Sequence, residues 1–113
     1  MFAPINGAVA VRNPSMLAAC RERAASSLET QIHSCTWLIE HSRKGTHLEA
    51  IFYSRGMAYY RHGNYTLATA DFDEAIMRGY ANALYARSLA KEKLGDSVGA
   101  AEDFAAFKRL KPE

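Results

Sequence analysis

EAIFYSRGMAYYRHGNYTLATADFDEAI, residues 49–76, is the stretch whose reading decides the fold. It contains no proline, alanine recurs through it, and no part of it shows the strict apolar/polar alternation of a half-buried strand. Gly63 falls near its middle. A glycine just past a helix end takes the left-handed backbone at no steric cost, so Gly63 reads as a stop between two helices. Helices of about 14 residues joined by so short a turn must pack as an antiparallel hairpin.

The same grammar extends outward in both directions. The three prolines are Pro4, Pro14 and Pro112, so residues 15–111 lack the residue that breaks helix interiors. Gly45, Gly63, Gly79 and Gly95 are 18, 16 and 16 residues apart and read as successive C-terminal stops. Start signals interleave with them: Asn13 before Pro14, and two capping boxes, Ser26-x-x-Glu29 and Thr46-x-x-Glu49. The expectation is an all-α chain with about six helices, at 14–25, 27–43, 47–62, 65–78, 82–94 and 97–110.

Length and charge bound the function. With 113 residues the chain supports one core and about one domain. Fourteen basic residues against 12 acidic ones, with no basic tract longer than Arg43-Lys44, argue against a nucleic-acid partner. No apolar run approaches the roughly 20 residues that cross a bilayer, so membrane insertion is not expected. Residues 1–13 read as a flexible arm lacking the basic and apolar regions of a signal peptide.

Two hairpins echo one another. Aligning Gly63 with Gly95 superposes Arg55 on Arg87, Ala68 on Ala100 and Phe72 on Phe104, all at a spacing of 32, the mark of a stacked repeat. Short Ala68 and Ala100 let paired helices approach, with Phe72 and Phe104 filling the space a turn further on.

Residues 49–76 resemble a tetratricopeptide (TPR) repeat, matching its signature at Phe52, Gly56, Tyr59, Gly63, Tyr65, Ala68, Phe72 and Ala75. Residues 81–112 match at Leu84, Gly95, Ala100, Phe104 and Pro112, and depart from the pattern at Ser88, Lys91 and Phe107. The 32-residue offset is two short of the family's period, which bears on the turn at Gly79-Tyr80. The resemblance implies a TPR-like α-solenoid of stacked antiparallel hairpins. Its single domain, 14–113, would divide into a degenerate hairpin at 14–45, a repeat at 47–78 and a divergent repeat at 81–112. In the first of these, Ile32, Cys35, Leu38 and Ile39 follow helical spacing as the inward face. QIHSCTWLIE, residues 31–40, also resembles the start of small proteobacterial, often exported, TPR proteins that carry a cysteine there.

Cys20 and Cys35, the two cysteines, fall on helices expected to be neighbours. Either they form a disulfide, which favours an exported location, or they are buried thiols in a reducing cytoplasm. Nothing else asks for redox, metal or cofactor chemistry. His33, His41, His47 and His62 lack the i, i+4 spacing of a helical metal pair. Asp71, Asp73 and Glu74 read as a solvated helix face rather than an acid–base site. No phosphate-binding or nucleophile motif occurs, so the chain is not expected to be an enzyme.

The functional signal is aromatic. All six tyrosines lie between residues 53 and 85, and Tyr53, Met57 and Tyr60 form a stripe offset from Phe52, Gly56 and Tyr59. In TPR proteins that stripe faces the concave groove where a peptide binds. Tyr85 and Leu89 continue it on the next such helix, Arg61 and Lys93 stand at the rim, and Asn82 is the residue there suited to a carboxylate clamp, too little to support one. The resemblance therefore implies a non-enzymatic adaptor or scaffold that binds a peptide segment of another protein, apolar or aromatic with acidic flanks. The alternative is a self-assembling unit whose groove is filled by its own chain or a second copy. A weak homodimer is expected through Val98, Ala101 and Ala105, beside a packed Phe104 and Phe107.

Overall fold

Six helices follow one another through the computed structural model, which describes residues 14–21 and 27–111. They are α1 (Pro14–Arg21), α2 (Leu28–Glu40), α3 (Leu48–Arg61), α4 (Tyr65–Met77), α5 (Asn82–Lys93) and α6 (Ser97–Leu110). No strand occurs among the described residues. The expected arm at 1–13, the Asn13 cap and Pro112 lie outside them.

All four spacer glycines act as stops, with φ between 87° and 92°. After α3 the amides of Gly63 and Asn64 donate back to Tyr60 and Tyr59, and after α5 those of Gly95 and Asp96 donate to Glu92 and Lys91. These bonds satisfy helix-end carbonyls that would otherwise be orphaned. After Gly63 and Gly95 the very next residue caps the following helix: the Asn64 side chain accepts from the Leu67 amide and Asp96 from the Gly99 amide.

The expected capping box of Thr46 with Glu49 does not form. Ser27 caps α2 by accepting from the Thr30 amide, while Ser26 lies outside the described residues. At α3 the cap is His47, with no side-chain bond, because Thr46 turns its hydroxyl back to the Arg43 amide.

Consecutive helices pack on each other, with lesser contacts of α3 to α1 and α5. Contacts between α3 and α4 descend one helix as they climb the other, from Arg55–Asp71 to Tyr60–Tyr65, so the pair is antiparallel. The main core joins Phe52, Ala68, Phe72, Ala75, Ala83, Ala86 and Ala90. A second cluster joins Cys20, Cys35, Leu38 and Ile51, and Ile39 packs against both. Alanines dominate the main core, so helix axes approach closely and one large side chain, the fully buried Phe72, fills the remaining space. Gly56 makes that possible: a Cβ there would lie 2.6 Å from Phe72 Cε1.

Three expectations about packing change. The buried face of α2 is Gln31, Ser34, Cys35 and Leu38, with Ile32 and Ile39 only half-buried. Phe104 is 42% exposed where Phe72 is sealed, and Phe107 is half-buried. No described helix covers α6 as α5 covers α4. Asp71 is buried rather than solvated, and Asp73 and Glu74 are engaged by Arg87 and Arg78.

Candidate functional site

Arginine holds the helices that carry the site. Arg55 on α3 grips Asp71 on α4 through two bonds of 2.8 Å, and its remaining nitrogen reaches Thr36 on α2 at 3.1 Å. Arg87 on α5 repeats the pattern 32 residues on, with two bonds of 2.7 Å to Asp103 on α6 and one of 2.8 Å to Asp73 on α4. Lys91 adds a second cation at Asp103, 3.0 Å away. Burial works against the Asp103 carboxylate, but the Arg87 and Lys91 hydrogen bonds outweigh it and hold the carboxyl below its ordinary range. Burial dominates at Asp71 and raises that carboxyl, with the Arg55 fork opposing. These carboxylates are bound to arginines on neighbouring helices, so they serve packing.

A cavity of about 120 Å³ opens among α1, α2 and α3, lined by Arg21, Gln31, Tyr53, Ser54, Met57 and Arg61. The expected stripe thus places Tyr53, Met57 and Arg61 together. Arg21, Gln31 and Ser54 complete the lining, and the sequence reading did not include them. Gln31 is the organising residue. Its amide nitrogen donates to the Cys20 carbonyl at 2.7 Å, and its amide oxygen accepts from Arg61 at 2.6 Å. A buried glutamine in the α2 stripe was the available signal, masked by the preference for apolar residues there. Cys20 and Cys35 lie next to it, both fully buried, with Cα atoms 4.7 Å apart and sulfurs at disulfide distance, 2.15 Å.

The remaining stripe residues divide. Tyr85 (44% exposed) and Leu89 (37% exposed) present apolar surface on α5, with the Tyr85 ring resting 5.9 Å from Phe104 and 5.5 Å from Phe107. Asn82 accepts from Lys111 at 3.0 Å, and Lys93 is exposed. Tyr60 packs edge-on against Tyr65. Contrary to a stripe outside the packing, Tyr53, Met57 and Tyr60 are half-buried against the main core, and the Tyr53 ring sits 4.8 Å from Tyr80 and 5.9 Å from Phe72. The short turn after Gly79 causes this, since the Tyr80 amide folds back onto Ala75 and swings its ring over α3.

Among the described residues no group of three or more His, Cys, Asp or Glu could hold a metal, and no helix is long and apolar enough to cross a membrane. His41 stacks on Trp37 at 4.0 Å and His47 lies 3.5 Å from Glu49. No protein-family model, curated protein or solved structure matches the chain.

Proposed function

We propose that the chain is a non-enzymatic protein-interaction module, a TPR-like array whose α1, α3 and α5 side binds a peptide segment of another protein. The observation that carries the reading is the cavity lined by Tyr53, Met57, Arg21 and Arg61, with Tyr85 and Leu89 exposed on the neighbouring α5. The Tyr53 and Met57 side chains in the cavity and the exposed Tyr85 and Leu89 suit an apolar or aromatic segment, and the arginines favour acidic residues flanking it. The 32-residue recurrence of the Arg55–Asp71 pair at Arg87–Asp103 supports the repeat reading.

The experiment is selection from a random peptide library on the intact chain, followed by titration of a selected peptide with amide chemical-shift mapping. Shifts should cluster at Tyr53, Met57, Tyr85 and Leu89, and Leu89→Glu should weaken binding about tenfold or more while the fold is kept. Selected peptides that shift only residues outside α1, α3 and α5 would refute the groove. The second reading, self-association, is favoured by the bare face of α6.

A further inference from the structure

The bare face of α6 is a straight seam. Val98, Ala101, Ala105 and Lys108 succeed one another at steps of three, four and three, the spacing that keeps one line of a helix facing a partner helix. Val98 is 72% exposed, and Phe104 further along the helix is 42% exposed. Ala101 and Ala105, also exposed, keep the middle of the seam low enough for a second helix to approach closely.

A further hairpin of the kind already present does not fit this seam. Each joint between hairpins is tied by an arginine reaching back to an acceptor on the preceding helix: Arg55 to Thr36 on α2, and Arg87 to Asp73 on α4. The residue 32 positions after Asp73 is Ala105, which offers no acceptor. An arginine delivered there by the same packing would be buried without a partner, at a heavy cost.

The charges on α6 select a different occupant. Acidic Asp96 and Glu102 lie in or before its amino-terminal half, and basic Lys108, Arg109 and Lys111 at its carboxy-terminal end. A parallel neighbour of the same sequence would align like charges. An antiparallel one sets Glu102 of each copy toward Lys108 and Arg109 of the other and opposes the two helix dipoles favourably. A partner of uniform charge would satisfy one half and be repelled by the other.

We propose that α6 is a self-association surface. Two copies pair α6 against α6, antiparallel about a two-fold axis near Ala105, with Ala101, Phe104 and Ala105 forming the apolar centre. This is an isologous contact, in which each copy supplies the same patch. One helix per copy makes a small interface, below the roughly 1,200 Å² of stable complexes, so the dimer is weak and reversible. The inference does not depend on the peptide groove, since the seam belongs to α6 rather than to α1, α3 and α5.

Sedimentation of the full chain with its cysteines left oxidised, across about 10 μM to 1 mM, tests it, a range that brackets weak association. A monomer–dimer equilibrium is expected. Ala105→Glu, at an exposed site on the two-fold axis where it would set two carboxylates together and where circular dichroism should stay native, should raise the dissociation constant about tenfold or more. Glu102→Lys and Arg109→Glu should each weaken the dimer, and the double variant should restore it. A monomer throughout the range would overturn the proposal and leave the seam to another occupant. So would a dimer indifferent to Ala105→Glu, which would place the contact on another face. A double charge variant no better than the singles would overturn the antiparallel arrangement.

Discussion

Replacing Gly56 by alanine tests how tightly α3 and α4 are pressed together. The added Cβ would lie 2.6 Å and 2.8 Å from two Phe72 ring carbons and 3.1 Å from the Asp71 Cβ. Ordinary contact begins near 3.5 Å, so the ring must retreat by almost an ångström. It has nowhere to go, because Phe72 is fully buried between alanines of α4 and α5. Asp71 cannot yield either without loosening its two bonds to Arg55. Overpacking of this kind costs about 1–3 kcal/mol. Because the sealed ring cannot retreat, the cost here lies in the upper part of that range, about 2–3 kcal/mol; alanine returns about 0.8–1 kcal/mol through its better helix propensity, so the net expectation is a loss of about 1–2 kcal/mol. Urea unfolding followed by circular dichroism measures it as a lower midpoint at constant slope. Gly56→Ala combined with Phe72→Leu should lose less than the two single changes added together, because the smaller side chain accepts the methyl. A Gly56→Ala protein as stable as the wild type would show that the two helices have slack, and the account of Phe72 as the filler of a closed space would fail.

The other expectations concern the tie points. If Cys20 and Cys35 are bonded, intact mass shows no alkylation of the native oxidised protein, and reduction costs about 3 kcal/mol for a loop of this length. Two freely alkylated thiols would refute the bond. Arg55→Met should cost about 3–5 kcal/mol by stranding Asp71, and adding Asp71→Leu should recover much of it. Asp103 has a carboxyl held below its ordinary range, so it stabilises the fold above the unfolded-state value near pH 4 and that stability is lost as pH falls through the folded-state value. Asp103→Asn should therefore flatten the acid limb of a stability–pH curve, and an unchanged limb would refute the pairing. Tyr53→Ala should cost more stability than Tyr85→Ala, since Tyr53 packs on Phe72 and Tyr80 whereas Tyr85 is 44% exposed. Equal losses would remove that distinction.

What could be read from the chain beforehand followed from backbone chemistry. Glycines at regular intervals and a proline-free interior have few alternatives to helix–stop–helix, so the helix number and the turns were legible. The caps were not, because Ser26 and Ser27 are equivalent as chemistry and only the path of the chain chooses Ser27. Asp71 was misread for a different reason. A lone aspartate belongs on a surface by default, and its burial depends on an arginine 16 residues earlier on another helix. The signal existed in the recurrence of that same separation at Arg87 and Asp103. For the cavity, Tyr53 and Met57 of the stripe and Arg61 of its rim were legible while Tyr60 does not line it, and Gln31 and Arg21 come from helices whose register no local pattern sets.

That register problem gives the arginines their place in the architecture. A seam of alanines packs closely but slides easily, since one methyl resembles the next and a shift of a turn costs little apolar burial. Arg55 removes the ambiguity by binding Asp71 on its own partner helix and Thr36 on the preceding one, and Arg87 does the same with Asp103 and Asp73. Each guanidinium therefore meets three helices, and a slip of one turn would break its bonds while leaving charge buried. Buried ion pairs contribute little net stability against an apolar replacement, yet they penalise every wrong alignment. The Arg55→Met, Asp71→Leu protein separates these two effects. If it melts near the wild-type temperature but shows broadened or doubled amide signals at Tyr53 and Met57, the pair sets register, and the cavity between those residues depends on it. Sharp, unshifted signals would mean that the alanine seam holds its alignment without the arginine.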